Sequence, residues 1–275
     1  MTQPFDPAPF HDFEQAGWQR AAEHYPKAFG DLTSQAAGPL LDAAGVGAGT
    51  RLLDVGTGPG FVAGVAAERG AMVTGLDFSS AMIDEARRRH PSIAFREGDA
   101  ESLPFDAEQF DAVVMNYGML HLARPNAAIA EARRVLRPGG RYAFTVWGAP
   151  DLAIGFGLVV HAIEKYGDPH VGLPEGPPFF QFSDAVECRR TLESAGFGGI
   201  DVAVLRLTWR LTSADAVFAA IAMGGVRTSA VLRAQTPDAI AQIRDSVRHG
   251  VESYWTNDGA FEVPMLSVLA SATKK

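Results

Sequence analysis

The stretch LLDVGTGPG, residues 52–60, decides the fold of this chain, because it joins a buried strand to a helix through a glycine-rich turn. Its apolar run begins at Arg51, and a short run without alternation is typical of a strand buried on both faces of a sheet. Gly56, Gly58 and Gly60 allow positive φ angles and let a ligand approach the backbone closely. The free N–H groups at the start of the following helix suit a carboxylate or a phosphate. An ordinary tight turn needs fewer glycines, so the stretch predicts a ligand site.

Outward from this stretch, short apolar runs alternate with helical patterns up to residue 147. Strands that alternate with helices predict a parallel sheet with helices on both faces. We therefore expect an α/β, Rossmann-like, doubly wound sheet of seven strands, with N-terminal helices and with helical insertions at 151–182 and 210–257. The predicted strands are 51–55, 72–76, 93–97, 111–115, 141–147, 200–209 and 265–270, and the predicted helices are 60–69, 80–90, 125–136, 152–166, 184–195, 214–223 and 237–253, after a helical region at 11–44.

Capping residues and prolines predict where several of these elements begin or end. We expect Ser79, Ser183 and Thr236 to cap the helices that follow them. We expect pairing of the last strand to begin after Pro264, since proline lacks the N–H that a ladder needs. Residues 1–10, with three prolines, read as a loose tail.

The composition excludes several classes of protein. The 275-residue chain has 24 Lys and Arg against 32 Asp and Glu, and this net charge of −8 argues against a general nucleic-acid or anionic-membrane binder. Its one cysteine, Cys188, excludes an intrachain disulfide, and the seven histidines show no metal-ligand spacing, so we expect no metal. No apolar run reaches about 18 residues, and the N-terminus does not read as a signal peptide. We therefore expect a cytoplasmic protein that binds no membrane.

Two acidic residues follow the second and third predicted strands. Asp77 ends the second strand, where a carboxylate can accept hydrogen bonds from both hydroxyls of a ribose. Asp99 follows the third strand, where an acid can accept from an adenine amino group. Either residue alone could be a helix cap or a surface acid. Together, each directly after its strand, they favour an adenosine ligand.

Together with the glycine-rich turn, these two acids give the chain a resemblance to a known family. It is similar to the class I S-adenosylmethionine-dependent methyltransferases, in the branch of the ubiquinone and menaquinone biosynthesis enzymes. The resemblance extends over residues 49–147 and is specific as an ordered set, although no single motif is. The motifs are LLDVGTGPG (52–60), GLDFSSAMI (75–83), EGDAESLPF (97–105), FDAVVMNYGMLHL (110–122) and LRPGG (136–140).

The resemblance implies a cofactor, a sheet topology and a set of binding residues. The cofactor is S-adenosylmethionine, with S-adenosylhomocysteine as the product, and the last strand of the sheet is antiparallel to the others. The implied cofactor residues are Asp54, Gly56, Gly58 and Gly60 at the methionine part, Asp77 at the ribose, Phe78 and Met82 against the adenine, Asp99 and Ala100 at its amino edge, and Asn116 and Tyr117 at the sulfonium.

Two alternatives to a methyltransferase stay open. An NAD-dependent oxidoreductase would explain Asp77 and the pattern G-x-G-x-x-A at residues 58–63. It would not explain Asp54 or Asp99, and the chain shows no convincing Tyr-x-x-x-Lys pair for hydride chemistry. The second alternative is a protein that binds the adenosyl cofactor without turning it over.

Several residues are candidates for the chemistry and for the acceptor pocket. His121 could be a general base, since histidine exchanges protons near neutral pH, or it could pack at the start of the next helix. Tyr25 and Phe29 lie one helical turn apart and could close over the cofactor or simply pack on the sheet. Phe29, Trp147 and Phe179 could line an acceptor pocket or pack in the core.

The function expected from the sequence is transfer of a methyl group to a small-molecule acceptor by in-line displacement, with nucleic acid and membranes excluded as partners. The methylated atom could be O, N or C, and the sequence favours no particular oligomeric state. Residues 1–45 would form an N-terminal tail and helical cap, residues 46–150 the cofactor-binding core, and residues 151–275 the rest of the sheet with substrate-side insertions, all within one domain.

Overall fold

Seven strands form a single mixed sheet in the computed structural model, which describes residues 6–275. They are β1 (Arg51–Val55), β2 (Met72–Asp77), β3 (Ala94–Glu97), β4 (Phe110–Asn116), β5 (Leu136–Trp147), β6 (Phe197–Leu211) and β7 (Phe261–Lys274). Their order across the sheet is β3-β2-β1-β4-β5-β7-β6. Strands β1 to β5 are parallel, and β7 is antiparallel to both β5 and β6. The expected sheet with its antiparallel last strand is confirmed.

Helices cover both faces of this sheet. They are α1 (Ala8–Ala21), α2 (Tyr25–Ala28), α3 (Gly30–Ser34), α4 (Ala37–Ala43), α5 (Phe61–Glu68), α6 (Ser80–Arg89), α7 (Pro125–Val135), α8 (Ile154–Tyr166), α9 (Ala185–Ser194), α10 (Ala216–Gly224), α11 (Arg227–Arg233) and α12 (Pro237–Glu252). Short 3-10 turns occupy Met119–His121 and Gln181–Ser183.

Alternate side chains of the central strands enter two apolar layers, as the two-residue period of a strand requires. Leu52 and Val114 pack against Leu40 of α4 on one face. Leu53 and its neighbours pack on the other face in a larger layer that includes α7, α8 and α9. These strands are apolar at successive positions because both of their faces are covered.

The chain reverses its direction of travel across the sheet at β1. It moves from β1 outward to β3 and then crosses back to β4, so β1 pairs with both β2 and β4. The connections that leave β1 and β4 therefore diverge, and a cleft opens beyond their carboxyl ends. Asp54 near the end of β1, Asp77 at the end of β2 and Asn116 at the end of β4 are brought to this edge.

Two of the three expected helix caps are present. The Ser79 hydroxyl accepts from the Met82 N–H, and the Thr236 hydroxyl accepts from the Ala239 N–H. The prediction for Ser183 was wrong, because its hydroxyl donates to the Phe180 carbonyl and leaves Asp184 to cap α9.

The start of the last strand also differs from the expectation. Strand β7 pairs from Phe261 onward, and Pro264 lies opposite Thr208 of β6. Pairing with β5 begins only at Ser267, opposite Trp147. At Pro264, β7 is therefore paired with β6 but not with β5. The N–H that proline lacks is not needed on the unpaired side.

The N-terminal region begins its helix earlier than expected. Helix α1 starts at Ala8, and Pro9 lies in its first turn, where no intrahelical N–H bond is needed. Residues 1–5 of the expected tail lie outside the described residues. Helix α11 was not predicted, and residues 137–140 form an irregular part of β5.

We predict that Thr236→Ala lowers the free energy of unfolding by about 1 kcal/mol, because the N–H groups at the start of α12 lose their capping oxygen. Thr236→Ser keeps a hydroxyl at the same place and serves as the matched control. Urea denaturation followed by circular dichroism measures both. Equal stability of the two variants would contradict the cap.

Candidate active site

The glycine turn after β1 adopts the backbone conformation that its residues favour. Gly58 has a φ of 53° and Gly60 a φ of 82°, both in the left-handed region. A Cβ atom at Gly58 would meet no atom within 4 Å, so this glycine borders open space. A Cβ at Gly60 would lie 3.1 Å from both His90 and Phe95. Gly60 therefore serves close packing at the start of α5, whereas Gly58 opens the turn to a ligand.

Asp54 is a buried carboxylate with one unsatisfied oxygen. Its Oδ2 accepts from the Thr57 hydroxyl at 2.7 Å, and its Oδ1 has no hydrogen-bond partner among the described residues. Burial raises the pKa of Asp54 to about 7, and the nearby charge of Asp77 also raises it. An unpartnered buried acceptor is costly, so this oxygen calls for a hydrogen-bond donor from a ligand.

Asp77 is the second buried carboxylate at this edge. Its Oδ2 accepts from the Gly58 N–H and its Oδ1 from the Ser79 N–H, both at 2.9 Å. Burial raises the pKa of Asp77 to about 6, while these backbone donors hold it lower. A carboxylate oxygen can accept more than one hydrogen bond, so both oxygens can also take ligand hydroxyls.

These residues line a cavity of about 900 Å³, including its open mouth, at the carboxyl edge of the sheet. The size is within the range of small-molecule and cofactor sites. Every residue expected at the cofactor lines this cavity except Gly60. They are Tyr25, Asp54, Gly56, Gly58, Asp77, Phe78, Met82, Asp99, Ala100, Asn116 and Tyr117.

The end of β4 holds its backbone in an unusual conformation. Tyr117 has a φ of 55°, a left-handed value that is rare for an aromatic residue and often marks a functional site. Its N–H donates to Thr145, its hydroxyl is 2.8 Å from the Ser267 hydroxyl, and its ring stacks on Trp147 at 4.0 Å. Asn116 accepts from the Thr145 hydroxyl at 2.6 Å. The strained turn aims both side chains along the wall of the cavity.

A second chamber of about 470 Å³ adjoins the first. Its walls include Phe29, Trp147 and Phe179, the three candidates for acceptor binding, and also Phe156. The rings pack on one another, with Phe29 and Phe156 stacked at 6.0 Å. Five residues border both spaces and so form the boundary between them: Trp18, Tyr25, Thr33, Tyr117 and His121.

His121, the candidate base, is held in this boundary. Its Nδ1 lies 2.9 Å from a carboxylate oxygen of Glu14, whose side chain is fully buried. The Trp18 ring stands edge-on to the imidazole at 4.7 Å. Nε2 of His121 has no hydrogen-bond partner among the described residues. From the sequence, His121 could be a base or a packing residue. In the structure its ring is held in place by Glu14 and Trp18, while Nε2 is left without a partner.

Sequence reasoning missed part of the site. Helix α1 supplies His11, Glu14 and Trp18, and α11 supplies Arg227, whose Nε donates to Glu14 at 2.8 Å. The aromatic spacing in α1 was the one available signal for Trp18. The pairing of Glu14 with Arg227 had none, because the two residues are 213 positions apart in the chain.

Within residues 6–275, no group of three or more His, Cys, Asp or Glu residues could hold a metal ion. In the same residues no single helix is long and apolar enough to cross a membrane, although α10 and α11, bent by 103° at their junction, pass that length and composition test as a pair.

Comparison with known proteins agrees with this site. A family model described as a methyltransferase domain matches residues 53–144. A demethylmenaquinone methyltransferase of Beutenbergia cavernae is 40% identical over 113 residues, 41% of this chain and 47% of that protein. A malonyl-(acyl-carrier protein) O-methyltransferase of Enterobacter lignolyticus is 35% identical over 137 residues, 50% of this chain and 54% of that protein. The chain thus spans about half the length of these relatives.

The whole fold is also found among solved structures. A phosphoethanolamine N-methyltransferase of Haemonchus contortus matches with a TM-score of 0.60 and 18% identity, over 96% of this chain and 60% of that one. At this identity the likeness concerns the fold. The matched segment confirms the resemblance to the menaquinone and ubiquinone branch of the class I S-adenosylmethionine-dependent methyltransferases: residues 53–144 match a methyltransferase domain, within a fold shared with a solved methyltransferase structure.

Proposed function

We propose that this chain binds S-adenosylmethionine in the cavity lined by Asp54 and Asp77 and transfers its methyl group to a small molecule held in the aromatic chamber. The observation that carries the proposal is the unpartnered Oδ1 of Asp54, next to a second buried carboxylate. When bound, S-adenosylmethionine supplies an electrophilic methyl group on a positively charged sulfur.

The residues of the cavity match the parts of this cofactor in order. Asp54 would accept from the ammonium group of the methionine part, which suits a buried carboxylate that lacks a cation of its own. Asp77 would accept from the two ribose hydroxyls. Phe78 and Met82 offer apolar surface for a purine, and Asp99 an acceptor for its amino group. The same residues stand in the same order along the chain, from β1 to β4.

The boundary between the two spaces is where transfer would take place. Tyr117, His121 and Tyr25 border both, so a methyl group at the end of β4 would face the aromatic chamber. Holding the two reactants in line and excluding water can lower a barrier by about 7–11 kcal/mol. Proton removal by a base such as His121 would add about 10²–10⁴-fold. Positioning by the chamber is thus the larger contribution.

The names of the two relatives support an acceptor that is not a nucleic acid. One is named for demethylmenaquinone and the other for malonyl-(acyl-carrier protein). The chamber supports the same conclusion, because its aromatic walls suit an apolar molecule rather than a phosphate backbone. The net charge of −8 points the same way.

We predict that S-adenosylmethionine and S-adenosylhomocysteine each raise the melting temperature, while NAD does not. A ligand at 100 times its dissociation constant stabilises by about 2.7 kcal/mol, which for this chain length is a shift of roughly 5–10 °C. Differential scanning fluorimetry measures it. A shift with NAD alone would favour the oxidoreductase.

Variants of two aspartates locate that binding. Asp77→Asn should raise the dissociation constant of S-adenosylhomocysteine tenfold or more, because hydrogen bonds to a charged acceptor are weakened. Asp84→Asn, on the exposed side of α6, is the matched control and should leave the constant unchanged. Unchanged affinity in Asp77→Asn would mean that the ribose lies elsewhere.

We predict that cofactor binding releases protons near neutral pH. The raised pKa of Asp54, about 7, leaves this carboxyl largely protonated at pH 6.5 in the free protein. An ammonium donor favours the ionised form, so binding should release about half a proton or more at pH 6.5 and much less at pH 8. Calorimetric titration in buffers of different ionisation enthalpy measures the release, and Asp54→Asn should remove most of it. Equal heats in all buffers at pH 6.5 would contradict this account of Asp54.

A further inference from the structure

A buried carboxylate connects the candidate base to an arginine. Glu14 of α1 is fully buried, and one of its oxygens lies 2.9 Å from Nδ1 of His121. Its other oxygen accepts from Nε of Arg227 at 2.8 Å. The three side chains come from α1, the turn after β4 and α11, so the tertiary fold alone brings them together.

Arg227 supplies the charge that makes a buried Glu14 carboxylate tolerable. Its guanidinium also donates to the carbonyl oxygens of Pro177, at 2.7 Å, and Leu120, and it lies over the Phe10 ring at 4.3 Å. Burial lowers the pKa of Arg227, but a guanidinium stays protonated in proteins. A buried carboxylate with a well-bonded cation of this kind can stay ionised. Glu14 is therefore an acceptor with a negative charge.

This arrangement fixes which nitrogen of His121 carries the proton. An ionised carboxylate accepts hydrogen bonds and cannot donate one, so Nδ1 of a neutral His121 must donate. Nε2 then has a free lone pair and no partner among the described residues. Trp18 and Phe179 stand edge-on to the ring at 4.7 and 6.1 Å and restrict its rotation. His121 is thus oriented as a proton acceptor at the boundary of the chamber.

Among the described residues, the lining of the chamber includes one charged side chain, Arg227, and it is paired with Glu14. Its tyrosine hydroxyls are engaged, Tyr25 with Thr33 and Tyr117 with Ser267. Burial raises the pKa of Tyr25 to about 12 and that of Tyr117 further still, so both stay neutral. Arg227 borders the chamber, but its charge is paired with Glu14, and three of its five N–H groups bond Glu14 and the two carbonyls. Aromatic walls around a single free base suit a flat neutral molecule with a removable proton.

We propose that Glu14 is the positioning residue that makes His121 a general base, and that the acceptor is a small neutral aromatic compound methylated on a hydroxyl group. This inference rests on the proposed function. The hydroxyl proton moves to Nε2 of His121 as the oxygen forms a bond to the methyl carbon. The bond between that carbon and sulfur breaks, and its electron pair stays on sulfur. Glu14 stabilises the imidazolium, which then returns its proton to water.

The test uses phenols of graded acidity with S-adenosylmethionine that carries a labelled methyl group. Glu14→Gln should lower kcat for 4-methylphenol by about 10²-fold or more, with little change in KM, because a base contributes about that much. 4-Nitrophenol at pH 8 is largely ionised without a base. This anion should have a higher KM in the aromatic chamber, but Glu14→Gln should lower its kcat only slightly, because no proton remains to be removed. Glu262→Gln, which removes a carboxylate from an exposed pair with Arg210, is the matched control and should act as wild type.

Two results of this assay would overturn the inference. An equal loss for both phenols would mean that Glu14 has a structural role alone. No transfer to any phenol by protein that binds the cofactor would reject the acceptor class. Absence of cofactor binding would instead refute the proposed function, and the melting-temperature experiment detects it separately.

A second measurement needs no turnover. Nitrogen-15 NMR of the histidine-labelled protein reports the tautomer of His121, and the signal is assigned by its loss in His121→Gln. The wild-type protein at pH 8 should show the proton on Nδ1, and Glu14→Gln should move it toward Nε2. A proton on Nε2 in the wild type would overturn the role of Glu14.

Discussion

Two buried carboxylates at the carboxyl edge of the sheet are the constraint on which the site depends. Asp54 and Asp77 lie at or near the ends of neighbouring parallel strands, and no cation of residues 6–275 is among the groups that shift the pKa of either carboxylate. Burial without a cation raises the pKa of both. The fold tolerates them because the Thr57 hydroxyl and the Gly58 and Ser79 N–H groups satisfy some of their oxygens. The carboxylate oxygens can accept further hydrogen bonds, and this suits a ligand with a cationic group and two hydroxyls.

Helix α1 connects this edge to the rest of the site. Gln15 donates to the Phe78 carbonyl, and Gln19 accepts from Ser79, so α1 is fastened to the segment that follows β2. Glu14 and Trp18, on the same helix, hold His121. One element thus fixes both the cofactor cavity and the candidate base. Trp18 of α1 borders both spaces, so this helix forms part of the wall of each.

Local patterns in the sequence predicted the parts of the structure that depend on neighbours in the chain. β1 occupies the expected residues 51–55, because a short, continuous apolar run is most stable as a strand buried on both faces of a sheet. Gly58 and Gly60 adopt the positive φ angles that made them informative. Asp77 lies in the cavity because strand ends of a parallel sheet share an edge.

Features that depend on distant packing could not be predicted this way. The Glu14–Arg227 pair joins residues 213 positions apart in the chain. The left-handed backbone conformation at Tyr117 occurs at a residue other than glycine, so the residue type does not indicate it. Ser183 and Asp184 are adjacent and equally good caps by residue type, and the choice between them follows from a turn in which the Ser183 hydroxyl donates to the Phe180 carbonyl three residues earlier. For the aromatic chamber, the sequence suggested Phe29, Trp147 and Phe179 individually, but their meeting around one space depends on the packing of separate elements.

The central claim is that the reactive methyl group lies at the boundary between the two spaces. S-adenosylmethionine with a carbon-13 methyl group, bound to the protein, tests it directly by carbon-edited nuclear Overhauser spectroscopy. We expect cross-peaks from that methyl group to the rings of Tyr117 and His121, which border both spaces. Cross-peaks confined to residues of the opposite end of the cavity, such as Phe78 and Ala100, would contradict it.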